Sequence, residues 1–310
     1  MSHPVDPFMA PLLQQLRDAR PVDFAAIPIE EGRRLSEAAN IPWNNPRLPI
    51  ARVEGLMIPG AAGPMPARLY HPAGQETRPL VIFVHGGGWT FGSLESHDGI
   101  ARHLAMESGC AVLAFEYRLA PEHPFPAGLD DTLAAFEFAC RGGLGQSVDD
   151  SRCALAGDSA GANLALAALL KHKGNASLAT ATLFYGCYAP IFDTPSHKRL
   201  GDGTYILGTK GMRWYWRNFL GQDSESTTSL AVPLRADLSG LPPLYLNAAG
   251  LDPLLDDTLL LSGRLSEAGI RHRLDVFPGV VHGFLRMTRD LPVARQALHA
   301  AGEFLARELK

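Results

Sequence analysis

The sequence predicts an α/β protein: a mostly parallel sheet wrapped by helices. Three observations carry this. From Leu80 onward, apolar β runs alternate with helical patterns at the spacing of strand–helix–strand units. Leu80-Val81-Ile82-Phe83-Val84 is continuously apolar, as in a parallel strand covered on both faces. Cys153-Ala154-Leu155-Ala156 leads through Gly157-Asp158-Ser159-Ala160-Gly161 into the apolar stretch Ala162 to Leu170, the strand–turn–helix context of a nucleophile elbow.

The bulk numbers agree with one sizeable unit. At 310 residues, with 46% hydrophobic and 19% charged side chains, the chain has enough apolar material for a large core. A net charge of −4 with no basic stripe argues against nucleic acid as a partner. No apolar run reaches about 18 residues, so no membrane span is expected. The start, Met1 to Pro7, lacks a cationic stretch followed by an apolar one, so no signal peptide is expected, and the reading is a protein of the reducing cytoplasm. Cys110, Cys140, Cys153 and Cys187 show no paired metal spacing and read as free thiols.

Residues 1 to about 50 are proline-rich with short helical patterns, one on Leu12, Leu13 and Leu16, another from Ile29 through Leu35 to Ala38. They are too short for a domain and are expected to pack on the main body as part of a lid. Val53 to Ile58 and Ala67 to Tyr70 read as strands separated by a turn-rich linker, Pro59 to Pro64. The strand Leu80–Val84 ends in His85-Gly86-Gly87-Gly88-Trp89. A helix from His97 to Gly109 and the strand Ala111–Phe115 follow, then Tyr117 to Ala127, a loop stiffened by three prolines. A helix from about Leu129 to Cys140 precedes the glycine-rich break Gly142 to Gly145 and the elbow.

After the strand Leu183–Tyr185 the alternation lapses until about residue 240. This insertion holds Tyr205, Trp214, Tyr215, Trp216 and Phe219, which read as the core of a small subdomain and as an apolar cap over a pocket. The sheet resumes at Pro243 to Ala248. Asp257 opens a helix ending at Gly269, and His272 to Phe277 is the last strand. Pro278 to Phe284 reads as a loop. The final helix is amphipathic, with Leu298, Ala301 and Leu305 on one face.

The chemistry gathers at the strand ends. In the elbow, Gly157 and Gly161 allow a tight turn that exposes the Ser159 hydroxyl at a helix N-terminus, where free N–H groups favour negative charge. Three successive glycines after a strand fit an oxyanion hole made of backbone N–H groups. An activated serine needs a base, and the base needs an acceptor that fixes its tautomer. Of eleven histidines, His282 follows the last strand in a glycine-rich stretch, whereas His85 reads as a loop-orienting residue. Asp252 lies directly beyond a strand; Asp256 and Asp257 are explained as helix caps. Ligands in open α/β sheets bind beyond the carboxyl ends of the strands, where all three candidates fall.

Taken together, His85-Gly86-Gly87-Gly88-Trp89, Tyr117 to Ala127, Gly157-Asp158-Ser159-Ala160-Gly161, Asp252-Pro253-Leu254 and His282-Gly283-Phe284 resemble the hormone-sensitive-lipase-like esterases, family IV of bacterial lipolytic enzymes, over roughly residues 65 to 310. The resemblance implies an α/β-hydrolase fold with an eight-stranded sheet, as a single domain over 1–310 with a mainly helical cap built from about 1–50 and about 187–235. It implies hydrolysis of short- to medium-chain acyl esters through an acyl-enzyme, without a cofactor or metal. It places the triad on Ser159, Asp252 and His282 and the oxyanion donors on Gly87, Gly88 and Ala160. Gly86 and Trp89 are expected to contact the small-molecule ester. Ala162 stands where the family commonly has a further glycine, a departure that touches helix packing more than chemistry.

Rival classes fare worse. A non-catalytic small-molecule receptor on this fold would lack the base, and here Ser159, Asp252 and His282 are all retained. Lactones or amides suit the same triad, so they stay open as substrates. A Walker A pattern, a dinucleotide glycine fingerprint and His-Glu-x-x-His are all missing from the sequence. The expected assembly is a monomer or homodimer.

Overall fold

The computed structural model describes residues 4–19, 22–74, 77–221 and 228–310. Parts of the two stretches expected to form a cap, 1–3, 20–21 and 222–227, lie outside the described residues. One sheet contains β1 (Arg52–Gly60), β2 (Gly63–His71), β3 (Arg78–Val84), β4 (Ala111–Phe115), β5 (Val148–Asp158), β6 (Leu178–Phe184), β7 (Leu244–Leu251) and β8 (His272–Val281). Its order is β1-β2-β4-β3-β5-β6-β7-β8. β1 and β2 pair antiparallel, as do β2 and β4, and every pair from β4 to β8 is parallel.

The apolar sequences explain this layering. β4 and β7 are buried throughout, because helices cover both faces of a parallel sheet. On one face lie α4 (Ala127–Ala139), α5 (Ala160–Lys171) and α8 (Leu255–Glu267). On the other lie α1 (Met9–Asp18), α3 (Asp98–Ser108) and α9 (Pro292–Glu308). α9 docks through Ala294, Ala297, Leu298, Ala301 and Leu305, all fully buried at helical spacing. Each such leucine contributes roughly 1.5–3 kcal/mol by leaving water. α3 stops at Gly109, whose φ of 68° gives the left-handed C-cap a side chain would resist.

Two expected boundaries differ. Pro59 to Pro64 is no linker: β1 and β2 stay in register through Pro59↔Pro64 and Gly60↔Gly63, leaving only Ala61-Ala62 as the turn. Pro59 fits because β1 is the sheet's edge strand, and Pro64 because β2 pairs with β4 only from Ala67 onward, so neither missing N–H costs a ladder bond. The stretch after Phe277 is not a loop from Pro278 onward, since β8 continues to Val281. A register shift absorbs the residues Pro278 to Val280, and pairing resumes at Leu251↔Val281.

The early segment and the late insertion meet each other. α2 (Ile29–Asn40) follows a short turn, Phe24–Ala26, and the insertion holds α6 (Pro195–Leu200) and α7 (Thr209–Leu220). Arg17 donates to the Thr204 carbonyl at 2.7 Å, and Lys210 pairs with Asp23 at 2.8 Å. The insertion's aromatic residues turn inward: Trp216 and Phe219 are buried in the core that also holds α5.

Candidate active site

Strand order locates the site before any side chain is considered. From β3 the chain steps to β4 on one side, then to β5 on the other. Loops leaving β3 and β5 therefore diverge, and a crevice opens at their carboxyl ends. β3 runs into Gly86-Gly87-Gly88 and β5 into Asp158-Ser159-Ala160, with Val84 and Gly157 as cross-strand partners. The register therefore sets the glycine loop beside the elbow.

Ser159 has φ 54° and ψ −119°, a strained conformation for a residue with a side chain. Its neighbours explain how the turn closes. A Cβ at Gly157 would sit 2.4 Å from the Gly161 oxygen, and one at Gly161 would sit 2.0 Å from the Val84 oxygen. The Ser159 N–H is anchored to the Phe184 carbonyl at 2.8 Å, so the turn is clamped from both neighbouring strands.

The other two candidates meet through a second register. Leu251 pairs with Val281, so the residues that follow, Asp252 and His282, leave adjacent strand ends side by side. Gly250 makes the bulge possible, since a Cβ there would lie 2.9 Å from the Pro278 Cα. His282 Nδ1 lies 2.7 Å from Asp252 Oδ2, and His282 Nε2 lies 2.8 Å from Ser159 Oγ. A carboxylate only accepts, so Nδ1 carries the proton and Nε2 is left to accept from the serine hydroxyl. Asp252 is fully buried, and its other oxygen accepts the Leu254 N–H at 2.9 Å.

The glycine loop offers donors. Among the described residues, the N–H groups of Gly87, Gly88 and Ala160 have no hydrogen-bond partner. Gly87 and Gly88 have φ of 120° and 62°, conformations open to glycine. The Tyr215 ring of α7 packs against Gly88, where a Cβ would collide with it. Gly86 and Trp89, expected to touch the ester, each have partners within the protein. The Gly86 N–H donates to Asp158 Oδ1 at 2.8 Å. Trp89 is 2% exposed and stacks on Phe219 with ring centroids 4.1 Å apart.

Beneath the loop lies a polar layer that motif reading did not assign. Burial opposes ionisation of Asp158, yet the charge and hydrogen bond of His97, the Arg286 guanidinium and the Gly86 N–H hold its carboxyl below the usual range. Burial, helped by His97, pushes His85 down to about 4, so it is neutral at neutral pH and orients the loop through its own contacts. Its Nδ1 lies 2.8 Å from the Gly86 carbonyl, and its ring stacks on Tyr117, whose hydroxyl donates to the His85 carbonyl. Arg33 of α2 donates to the Thr90 and Ala120 carbonyls. An acidic residue inside an otherwise apolar elbow was the one signal that could have revealed Asp158. Arg33 and His97 carried none.

Asp256 and Asp257 do not cap their own helix, as expected of them. Asp256 accepts the Ser196 N–H at 2.7 Å and Asp257 the Tyr188 N–H at 3.0 Å, bracing the chain that leaves β6. Burial raises the Asp257 carboxyl to about 8 against its bonds from Tyr188 and Ala189, and the charges of Asp252 and Asp256 add to the rise. It is therefore a neutral acid at neutral pH, unsuited to fix a charged imidazole.

Among the described residues, no helix is long and apolar enough to cross a membrane. A family profile for the α/β hydrolase fold matches residues 81–286. The carboxylesterase NlhH of Mycobacterium tuberculosis is 35% identical over 301 residues, covering 94% of this chain and 93% of its own. Esterase LipI of the same organism is 33% identical over 303 residues, covering 94% of this chain and 92% of its own. A hyperthermophilic esterase of the archaeon Pyrobaculum calidifontis superposes with a TM-score of 0.94 at 33% identity, over 98% of both chains.

Proposed function

Since this chain belongs to the α/β-hydrolase family, in its hormone-sensitive-lipase-like branch, and is a carboxylic ester hydrolase, we propose that Ser159, His282 and Asp252 are its nucleophile, base and orienting acid. The observation that carries this reading is the unbroken chain from Ser159 Oγ to His282 Nε2 at 2.8 Å and from His282 Nδ1 to Asp252 at 2.7 Å. Ser159 attacks the ester carbonyl as His282 takes its proton, and Asp252 stabilises the imidazolium. The N–H groups of Gly87, Gly88 and Ala160 receive the oxyanion; losing one such donor costs roughly 10²–10³ in kcat. His282 then protonates the leaving alcohol, and water releases the acid by the reverse roles.

The cap is assigned to about 1–50 and about 187–235, a reading supported by the Arg17 and Asp23 contacts and by Tyr215 over Gly88. An aromatic roof this close to the oxyanion donors limits pocket depth, so short- to medium-chain acyl groups are the expected substrates. Turnover of p-nitrophenyl esters of increasing acyl length, on wild type and Ser159→Ala, tests both points. The variant is expected to fold normally and lose roughly 10⁶ in kcat. Retained activity would overturn the nucleophile assignment, and equal rates on acetate and long-chain esters would overturn the depth argument.

A further inference from the structure

Cys140 and Cys153 present their sulfurs to each other at 3.1 Å, at the end of the molecule away from the elbow. Cys140 caps the C-terminus of α4, its N–H bonded to the Phe136 carbonyl at 2.9 Å. Cys153 opens the inner half of β5, where the register with β6 shifts between Cys153 and Ala154. Both flanks have conformational slack. Gly142 and Gly145 follow Cys140 with φ of 79° and 74°. Before Cys153, the pairing jumps from Pro79↔Asp149 to Leu80↔Cys153, so Asp150 to Arg152 bulge out of the ladder. A disulfide needs about 2.05 Å between sulfurs, a closure of the order these flexible flanks absorb. The surroundings also select a direction of attack. Cys153 is fully buried and its sulfur faces the Asp150 carbonyl at 3.3 Å, whereas Cys140 is half-exposed.

We propose that Cys140 and Cys153 form a reversible oxidation site, closed to an intramolecular disulfide by a small disulfide oxidant such as oxidised glutathione. The Cys140 thiolate attacks one sulfur of the oxidant, forming a mixed disulfide and expelling one glutathione thiolate. The Cys153 sulfur attacks the Cys140 sulfur, expelling the second glutathione thiolate, which takes up the Cys153 proton. Two protein thiols are thereby oxidised and one oxidised glutathione is reduced to two glutathiones. The bridge ties the end of α4 to the strand that carries Ser159, closing the loop from Arg141 to Arg152. It lies six residues from Ser159, about 20 Å along the strand, so oxidation fixes the scaffold and leaves the chemistry alone.

The test is equilibration of the native full-length protein with excess oxidised glutathione, followed by thiol counting in denaturant and peptide mapping without reductant. Of the four cysteines, two are expected to remain titratable, with the Cys140 and Cys153 peptides joined. Cys140→Ser is expected to keep its three thiols titratable after the same treatment, and Cys153→Ser to lose only the Cys140 thiol, to a glutathione adduct that a reductant removes. The oxidised wild type should melt several degrees above its reduced form, a difference lost in both variants, while turnover of a short ester stays within twofold. Four free thiols in the treated native protein would overturn the proposal. So would a glutathione adduct on Cys140 that Cys153 never resolves, or a bridge involving Cys110 or Cys187.

Discussion

Adding one methyl group at Gly161 is expected to damage stability and catalysis together, for one geometric reason. The new Cβ would lie 2.0 Å from the Val84 oxygen and 2.6 Å from the His85 oxygen, where ordinary contact begins at 3.4 Å. Both obstacles are backbone atoms, one at the end of a central strand fully buried from Leu80 to Val84, so no side chain swings aside. Relief requires α5 and β3 to separate by more than about 1 Å, on the scale that overpacking of a close-packed interior sets. Such strain typically costs about 1–3 kcal/mol. The same displacement acts on the chemistry, because Ser159 sits two residues before Gly161 and the Gly87 and Gly88 N–H groups follow Val84 by three and four. A misplacement of about 1 Å costs on the order of 10² in rate.

The assay is kcat and KM on p-nitrophenyl acetate, with the thermal midpoint read by circular dichroism on the same preparation. Gly161→Ala should lose about 10² in kcat with KM little changed, the pattern of an interaction made only in the transition state. Gly263→Ala is the control. It adds the same atom inside α8, where a Cβ meets nothing within 4 Å. If Gly161→Ala kept wild-type kcat while melting lower, the inferred link between elbow packing and oxyanion geometry would be wrong. If neither quantity moved, so would the packing argument.

The remaining expectations are simpler. Gly263→Ala should raise stability by about 0.5–1 kcal/mol, read from the urea midpoint, by reducing the freedom of the unfolded chain. Asp252→Asn should keep the fold and lose roughly 10⁴ in kcat, because an amide can present its N–H to His282 and favour the wrong tautomer; a loss below tenfold would remove Asp252 from the triad. Leu298→Ala, at a fully buried position of α9, should cost about 2–5 kcal/mol in urea unfolding without changing KM. Asp257 gives a pH signature: its folded value of about 8 exceeds the unfolded 3.8, so the native state holds the extra proton and stability falls as pH rises between about 4 and about 8. Asp257→Asn keeps an acceptor for Tyr188 and should flatten that decline, worth on the order of 5 kcal/mol across the window; parallel stability–pH curves for wild type and variant would refute it.

What the sequence disclosed and what it withheld divide along the range of the interactions. Ser159 was legible because its requirements are local: a strand before it, a helix after it, and glycines at both flanks where backbone crowds the turn. Asp252 and His282 could each be placed just past a strand. That they face each other depends on the Leu251↔Val281 register and on a bulge involving Pro278 to Val280, a stretch whose proline and glycine read as loop. Pairing across two strands has no local signature. The Cys140–Cys153 contact was hidden for the same reason, since neither residue's neighbours announce the other.

The polar layer under the glycine loop answers a problem that the loop itself creates. Three consecutive glycines leave the proposed oxyanion donors with the greatest possible backbone freedom, and freedom at a charge-stabilising site undoes preorganisation. A buried carboxylate one residue before the proposed nucleophile is an odd remedy, because its charge opposes the negative charge that would develop on substrate. Position resolves the conflict. Asp158 spends one oxygen on the Gly86 N–H at 2.8 Å, and its hydrogen bond with His97 and the Arg286 guanidinium help to hold its carboxyl ionised. The rest of the loop is pinned by groups donating to its carbonyls: Tyr117 to His85, the Ala120 N–H to Trp89, and Arg33 to Thr90. Every one of these ties holds a residue flanking Gly87 and Gly88 and leaves the N–H groups of those two glycines free. The carbonyls of the two glycines are held as well, Gly87 by the Thr90 and Phe91 N–H groups and Gly88 by the Thr90 hydroxyl, so the loop is restrained through its acceptors while its unpaired donors keep their direction without being consumed.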